Sequence, residues 1–129
     1  MRTRHLYLLL GTLVAAGCSY PTSPNAFNGT WKEAFNFPGS SLTFNLVTSG
    51  NVISGSGTWS GEACCDGSVT IGGTEVGDSV SLDFAFVTHG SFPPPRTSHF
   101  TGRMTGRNTI VGTFGTDTTA TDVVFFRTN

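Results

Sequence analysis

The sequence predicts an all-β fold, a single antiparallel up-and-down meander of about eight strands closing into a small barrel. Three observations carry that expectation. Between Leu42 and Trp59, Leu42, Phe44 and Leu46 recur at every second position, and Ile53, Gly55, Gly57 and Trp59 do the same beyond Ser49-Gly50-Asn51, which is the period of a β-hairpin. The same phrase returns along the chain, with turns at Gly50-Asn51 and Gly77-Asp78 and a spaced version from Gly106 to Ile110. Composition agrees, because 17 Gly and 11 Phe with abundant Ser and Thr suit strands and tight turns and leave few helix formers.

At 129 residues the chain suits one domain and is too short for two with separate cores. Hydrophobic residues at 37% against charged residues at 12% argue for a packed domain rather than a disordered one. A formal net charge of -1 with scattered arginines provides no basic field for phosphate backbones, so nucleic acid is not an expected partner.

Taken in order, residues 1–17 read as a signal peptide. Arg2 and Arg4 precede the apolar run Leu6 to Ala16, which is too short to span a bilayer as a permanent helix and ends in small residues. Residues 18–28, with Pro21, Ser23, Pro24 and Asn25, show no periodicity and read as a tether. The barrel domain is expected over 29–129. Its first strand runs from Gly29 through Phe37 with Trp31, Glu33, Phe35 and Phe37 on one face, and Pro38-Gly39 ends it.

The Leu42–Trp59 hairpin supplies strands two and three. Strand four is Ser68 to Gly72, with Val69 and Ile71 in phase, and Glu75 to Asp78 turns into strand five. There Val80, Leu82, Phe84 and Phe86 face one way and Ser79, Ser81, Asp83 and Ala85 the other. Pro93-Pro94-Pro95 cannot donate ladder hydrogen bonds, which makes Thr88 to Pro95 a long loop. Strand six sets Ser98, Phe100, Gly102 and Met104 against Thr97, His99, Thr101 and Arg103. Strand seven alternates Ile110, Gly112 and Phe114, and Asp117 to Thr121 reads as a polar turn. Strand eight, Asp122 to Thr128, holds Val123, Val124, Phe125 and Phe126 in a row, so its phase stays open. Short connections force antiparallel neighbours and closure removes the edges; a β-sandwich is the alternative, though it wants crossovers that hairpins do not provide. Outward Ser, Thr, Asp and Arg argue against a transmembrane barrel.

Val14-Ala15-Ala16-Gly17-Cys18 resembles the lipobox of bacterial lipoproteins, with Ala15 where that family most often has Leu. The resemblance implies diacylation of Cys18, cleavage before it and anchoring to a membrane by several acyl chains. Ser19 lacks the acidic character of an inner-membrane retention signal, which implies an outer-membrane destination facing the periplasm or the cell surface. Gly29-Thr30-Trp31, the meander and Gly112-Thr113-Phe114 are similar to the lipocalin and avidin-like group of small barrels. That similarity implies a barrel holding a small, largely apolar ligand in its mouth. The polar residues with which avidins surround biotin have no match, so biotin is not implied.

Trp31, Phe44, Trp59, Phe84, Phe100 and Phe114 are the candidate ligand-lining residues, with Phe35 and Phe86 on the same inward faces. An eight-stranded interior is either filled by such side chains or admits one small ligand. Gly55, Gly57, Gly102 and Gly112 would make room or merely relieve curvature. Two functions stay open: a small-molecule or lipid binding barrel, and a structural or interaction lipoprotein with a filled barrel working through loops such as Ser91 to Arg96.

Cys64-Cys65 suggests a vicinal disulfide in an oxidising compartment. Free or intermolecularly paired thiols, and a metal or redox role with Glu62 and Asp66, are the alternatives, the last disfavoured because metal ligands are usually spaced further apart. His89 and His99 flank the proline loop without a metal-binding pattern, and no metal or other cofactor is expected. There is no Gly-x-Ser-x-Gly elbow, and nothing singles out Glu33, Glu62, Glu75 or Asp83 as a catalytic carboxylate, so the expectation is a protein that is not an enzyme.

Overall fold

The computed structural model of the chain describes residues 26–34, 40–61, 65–90, 95–116 and 119–128. The signal peptide, Cys18, Phe35, Phe37 and Cys64 lie outside the described residues. Eight strands follow one another: β1 (Gly29–Glu33), β2 (Ser41–Ser49), β3 (Val52–Ser60), β4 (Asp66–Val76), β5 (Ser79–Thr88), β6 (Arg96–Gly106), β7 (Thr109–Thr116) and β8 (Thr119–Thr128). Each pairs antiparallel with the next, and β8 returns to β1 through Thr30↔Thr128 and Glu33↔Phe125, which closes the barrel. The predicted up-and-down meander is therefore the fold, and the sandwich alternative falls.

Alternation explains which side faces in. On β5 Val80, Leu82 and Phe84 are buried while Ser79 and Asp83 are exposed, and β2 buries Leu42, Phe44 and Leu46 in the same way. The hairpins turn where the sequence places Gly-Asn and Gly-Asp: Gly50 and Gly77 adopt φ of 63° and 61°, a left-handed conformation open to glycine without a Cβ penalty. The spaced third copy of the pattern has its own cause, a register shift between Met104 and Gly106 that inserts a bulge before the turn.

Two strands are longer than their apolar signal. β4 extends on both sides of Ser68–Gly72 because Gly67, Gly73 and Thr74 keep their backbone pairing to β3 and β5 although they add nothing to the apolar pattern. β8 begins at Thr119, and Ala120 and Thr121 pair with Gly115 and Phe114 rather than forming a turn. The open phase of β8 is fixed by its neighbours: Phe125 lies opposite both Ile110 and Glu33 and is fully buried, and Phe126 turns outward at 46% exposure.

The barrel has two unlike ends. At one lie the turns at 50–51, 77–78 and 107–108 together with residues 26–28. The Trp31 indole N–H donates to the Phe27 carbonyl at 2.9 Å, and the Asn28 side chain accepts the Thr48 N–H at 2.7 Å. The Arg127 guanidinium stands 4.5 Å from the centre of the Trp31 ring and donates to the carbonyls of Ala26, Asn28 and Arg107. This end is closed.

The middle is an aromatic cluster. Phe44 meets Phe84 and Phe125 edge to face at 5.3 and 4.9 Å, and Phe84 meets Phe114 at 4.8 Å. Gly102 and Gly112 pair across β6 and β7, but they open no cavity. The tip of the Phe100 ring lies on them, 2.6 and 2.7 Å from where a Cβ would stand. The interior is thus packed from Phe27 to Phe100, and open space begins above it.

Candidate functional site

Every second residue of a strand points inward, so the last inward residue of each strand collects at the end opposite Trp31. Glu33 of β1, Leu42 of β2, Trp59 of β3, Phe86 of β5, Arg96 and Ser98 of β6, Phe114 of β7 and Thr121 of β8 meet there and wall a cavity of about 420 Å³ that opens to solvent. This is within the usual size range for a small-molecule pocket.

The aromatic wall is held in place. The Trp59 indole N–H donates to the Val87 carbonyl at 3.2 Å, and the ring lies over Gly67, where a Cβ would stand 2.7 Å from Nε1. Glycine at 67 is what lets the indole lie against the sheet. Trp59 meets Phe86 edge to face at 6.2 Å, and Phe86 stacks on the buried Phe84 at 6.1 Å. The Arg96 guanidinium is 5.6 Å from the centre of the Phe86 ring. Hydroxyls complete the rim, with Ser41 and Ser60 sharing a 2.7 Å hydrogen bond across β2 and β3.

Glu33 is the anomaly of this wall. Its side chain is inward and half-buried, and it has no hydrogen bond or ion pair among the described residues. Removal from water without a compensating partner disfavours the charged form, and the carboxyl is pushed up from 4.5 to about 7. Among the described residues, Glu33 and Arg96 are the two charged wall residues, one half-buried and one exposed.

Of the aromatic residues expected to line a ligand, Trp59 and Phe114 line the cavity. Phe44, Phe84 and Phe100 are at most 1% exposed and belong to the packed middle, and Trp31 is fully buried at the closed end. Glu33 and Arg96 were not legible as site residues. The signal for Glu33 was its place on the Trp31 face of the first strand; Arg96 was read only as the end of the Ser91 to Arg96 loop, not as part of a cavity.

Cys65 is disulfide-bonded, and both other cysteines of the chain lie outside the described residues. The Gly61 N–H donates to the Cys65 carbonyl at 2.7 Å, so this connection is drawn together beside the cavity wall at Gly61.

A second constellation lies on the outer wall. Asp83 Oδ1 is 2.7 Å from His99 Nδ1, and His99 Nε2 is 3.2 Å from Ser81 Oγ. This is the order of orienter, base and nucleophile used in acyl transfer. Sequence spacing did not show it because His99 comes from β6, opposite Asp83 of β5. A depression walled by Thr74, Val76 and Thr101 lies beside Ser81. Yet His99 and Asp83 are 50% and 64% exposed, and β5 is paired on both sides, so the neighbouring N–H groups are engaged in the ladder and unavailable to a developing oxyanion. The trio is a polar brace between strands. His89 pairs with Asp66 at 3.5 Å rather than with His99, and among the described residues no group of three His, Cys, Asp or Glu side chains could hold a metal ion.

No protein-family model matches the chain, and neither a curated protein nor a solved structure matches it.

Proposed function

We propose that this protein is an exported, lipid-anchored barrel of the cell envelope that binds one small, largely apolar molecule in its mouth. The observation that carries the reading is the open cavity walled by Leu42, Trp59, Phe86 and Phe114 above an otherwise solid interior. A ligand burying on the order of 200 Å² of apolar surface there gains about 5 kcal/mol, enough for weak binding that polar contacts would have to sharpen.

Orientation supports the anchored form. Ala26 lies at the closed end, strapped by Arg127, and the eight residue-to-residue steps from Cys18 to Ala26 reach at most roughly 28 Å. Acyl chains on Cys18 would hold the closed end toward the membrane and turn the mouth to the aqueous side. The outward Ser79, Asp83, Thr97, His99, Thr101 and Arg103 suit water rather than lipid around the barrel. An interaction protein with a filled barrel is the second reading, favoured by the density of the Phe44 to Phe125 cluster.

Native and then denaturing mass spectrometry of the protein extracted from its own membranes tests the proposal. A mass lost on denaturation, on a chain acylated at Cys18, is the expected result. A chain starting elsewhere and carrying no acyl group would overturn the anchor, and a native mass equal to the acylated chain alone would favour the filled barrel.

The reading includes no hydrolytic role for Ser81. Ser81→Ala is expected to leave p-nitrophenyl acetate hydrolysis unchanged, and loss of a saturable rate in that variant would reopen the question.

A further inference from the structure

We infer that the mouth selects a small organic cation, an amine on an apolar or aromatic body, with Glu33 as its counter-ion and Trp59, Phe86 and Phe114 as the wall around it. The inference rests on the ligand-binding reading above and names the chemistry of the ligand.

Glu33 is an inward carboxyl with no partner among the described residues, at the edge of a cavity large enough for a ligand. A protein gains nothing in stability from such a group; a cation entering the cavity supplies the missing partner and restores the charged form. The surrounding rings favour the same sign, because aromatic faces are negative and attract cations held within about 6 Å. Arg96 already uses the Phe86 ring in this way.

Arg96 raises the opposite option, an anion. Its head group is exposed, so its field is screened by water and salt, whereas the half-buried Glu33 is screened less. Among the described residues, the neighbouring charged groups on β1 and β8 turn away from the cavity: Lys32 precedes Glu33 on β1 and Asp122 lies on β8, and both are exposed on the outer wall. Phe125, opposite Glu33, and Leu42, on the other flanking strand, carry no charge.

The pH dependence separates a cation from a neutral acceptor. A cation needs ionised Glu33, so its affinity rises as pH rises through about 7, where the carboxyl titrates. A neutral acceptor would take a hydrogen bond from protonated Glu33, and its affinity would fall over the same range.

The test is calorimetric titration of the full lipidated protein in phosphatidylcholine nanodiscs, against empty discs, with 2-phenylethylamine, 2-phenylethanol and 3-phenylpropionate at pH 5.5 and 8. The amine should bind at pH 8 roughly tenfold or more tighter than the alcohol, and lose about that factor at pH 5.5. Glu33→Gln should abolish both differences while keeping the alcohol. The amine–alcohol comparison on the unaltered protein needs no variant to fold. Equal binding of amine and alcohol would overturn the cation inference and leave the apolar mouth standing, and tighter binding of the propionate would overturn it in favour of Arg96. Failure of all three probes to bind would overturn the mouth itself.

Discussion

On β1 the inward face carries Trp31 at the closed end and Glu33 at the mouth, two residues and one function apart. Trp31 is fully buried and bonded, so its removal is a core deletion costing roughly 3–5 kcal/mol. Glu33 behaves in the opposite way. Its carboxyl titrates near 7 in the fold against an ordinary 4.5, so the fold favours the protonated form. Glu33's contribution to stability is therefore fully present below about pH 4.5 and is lost as pH rises through about 7. Glu33→Gln removes that slope. The expected gain at pH 8 relative to pH 5 is about 1–2 kcal/mol in urea melts, discounted from the full 1.36 kcal/mol per pH unit because the mouth is open to water. Parallel pH profiles for the two proteins would show that Glu33 is not desolvated.

Trp59 is a rim residue rather than core. Trp59→Ala is expected to lower stability by about 1–2 kcal/mol, less than Phe84→Ala at roughly 3–5 kcal/mol in the same melt. Alternation revealed that both face inward. It could not reveal their height along the barrel, which depends on register, and height is what separates a wall from a core. For that reason Phe44, Phe84 and Phe100 looked equivalent to Trp59 and Phe114 in the sequence.

At the scale of elements, β6 and β7 show what inward glycines do here. Gly102 and Gly112 face each other and receive the Phe100 ring. Gly112→Ala would drive a methyl group into that ring and the opposite backbone, and a loss of at least about 2–3 kcal/mol is expected from chemical denaturation. A near-neutral result would mean that Phe100 packs elsewhere. The turns at Gly50 and Gly77 were readable because a two-residue hairpin needs a left-handed residue. The true length of β4 and β8 was not, because Gly67, Gly73, Ala120 and Thr121 are held by ladder hydrogen bonds, which leave no trace in hydropathy. The Ser81–His99–Asp83 brace was hidden in the same way, by pairing between strands.

For the whole molecule, closure at one end and opening at the other is the property that matters. Arg127 joins the last strand to Trp31 and to residues 26–28, so the two ends of the domain are fastened together under the barrel. Arg127→Ala should release that strap and lower the melting temperature without altering the mouth, leaving the probe affinity of the folded fraction unchanged. The overall meander was legible because its alternation repeats along seven strands joined by short turns; the asymmetry of its ends was not, because it arises from a few side chains brought together by closure.

The asymmetry offers a direct measurement. The chain has two tryptophans, one at each end, and each indole N–H is bonded to a carbonyl, Trp31 to Phe27 and Trp59 to Val87. In a ¹H–¹⁵N spectrum titrated with 2-phenylethylamine at pH 8, the Trp59 indole signal should move saturably while the Trp31 signal stays fixed. Movement of Trp31, or of neither signal, would contradict a barrel that is solid below and receptive at its mouth.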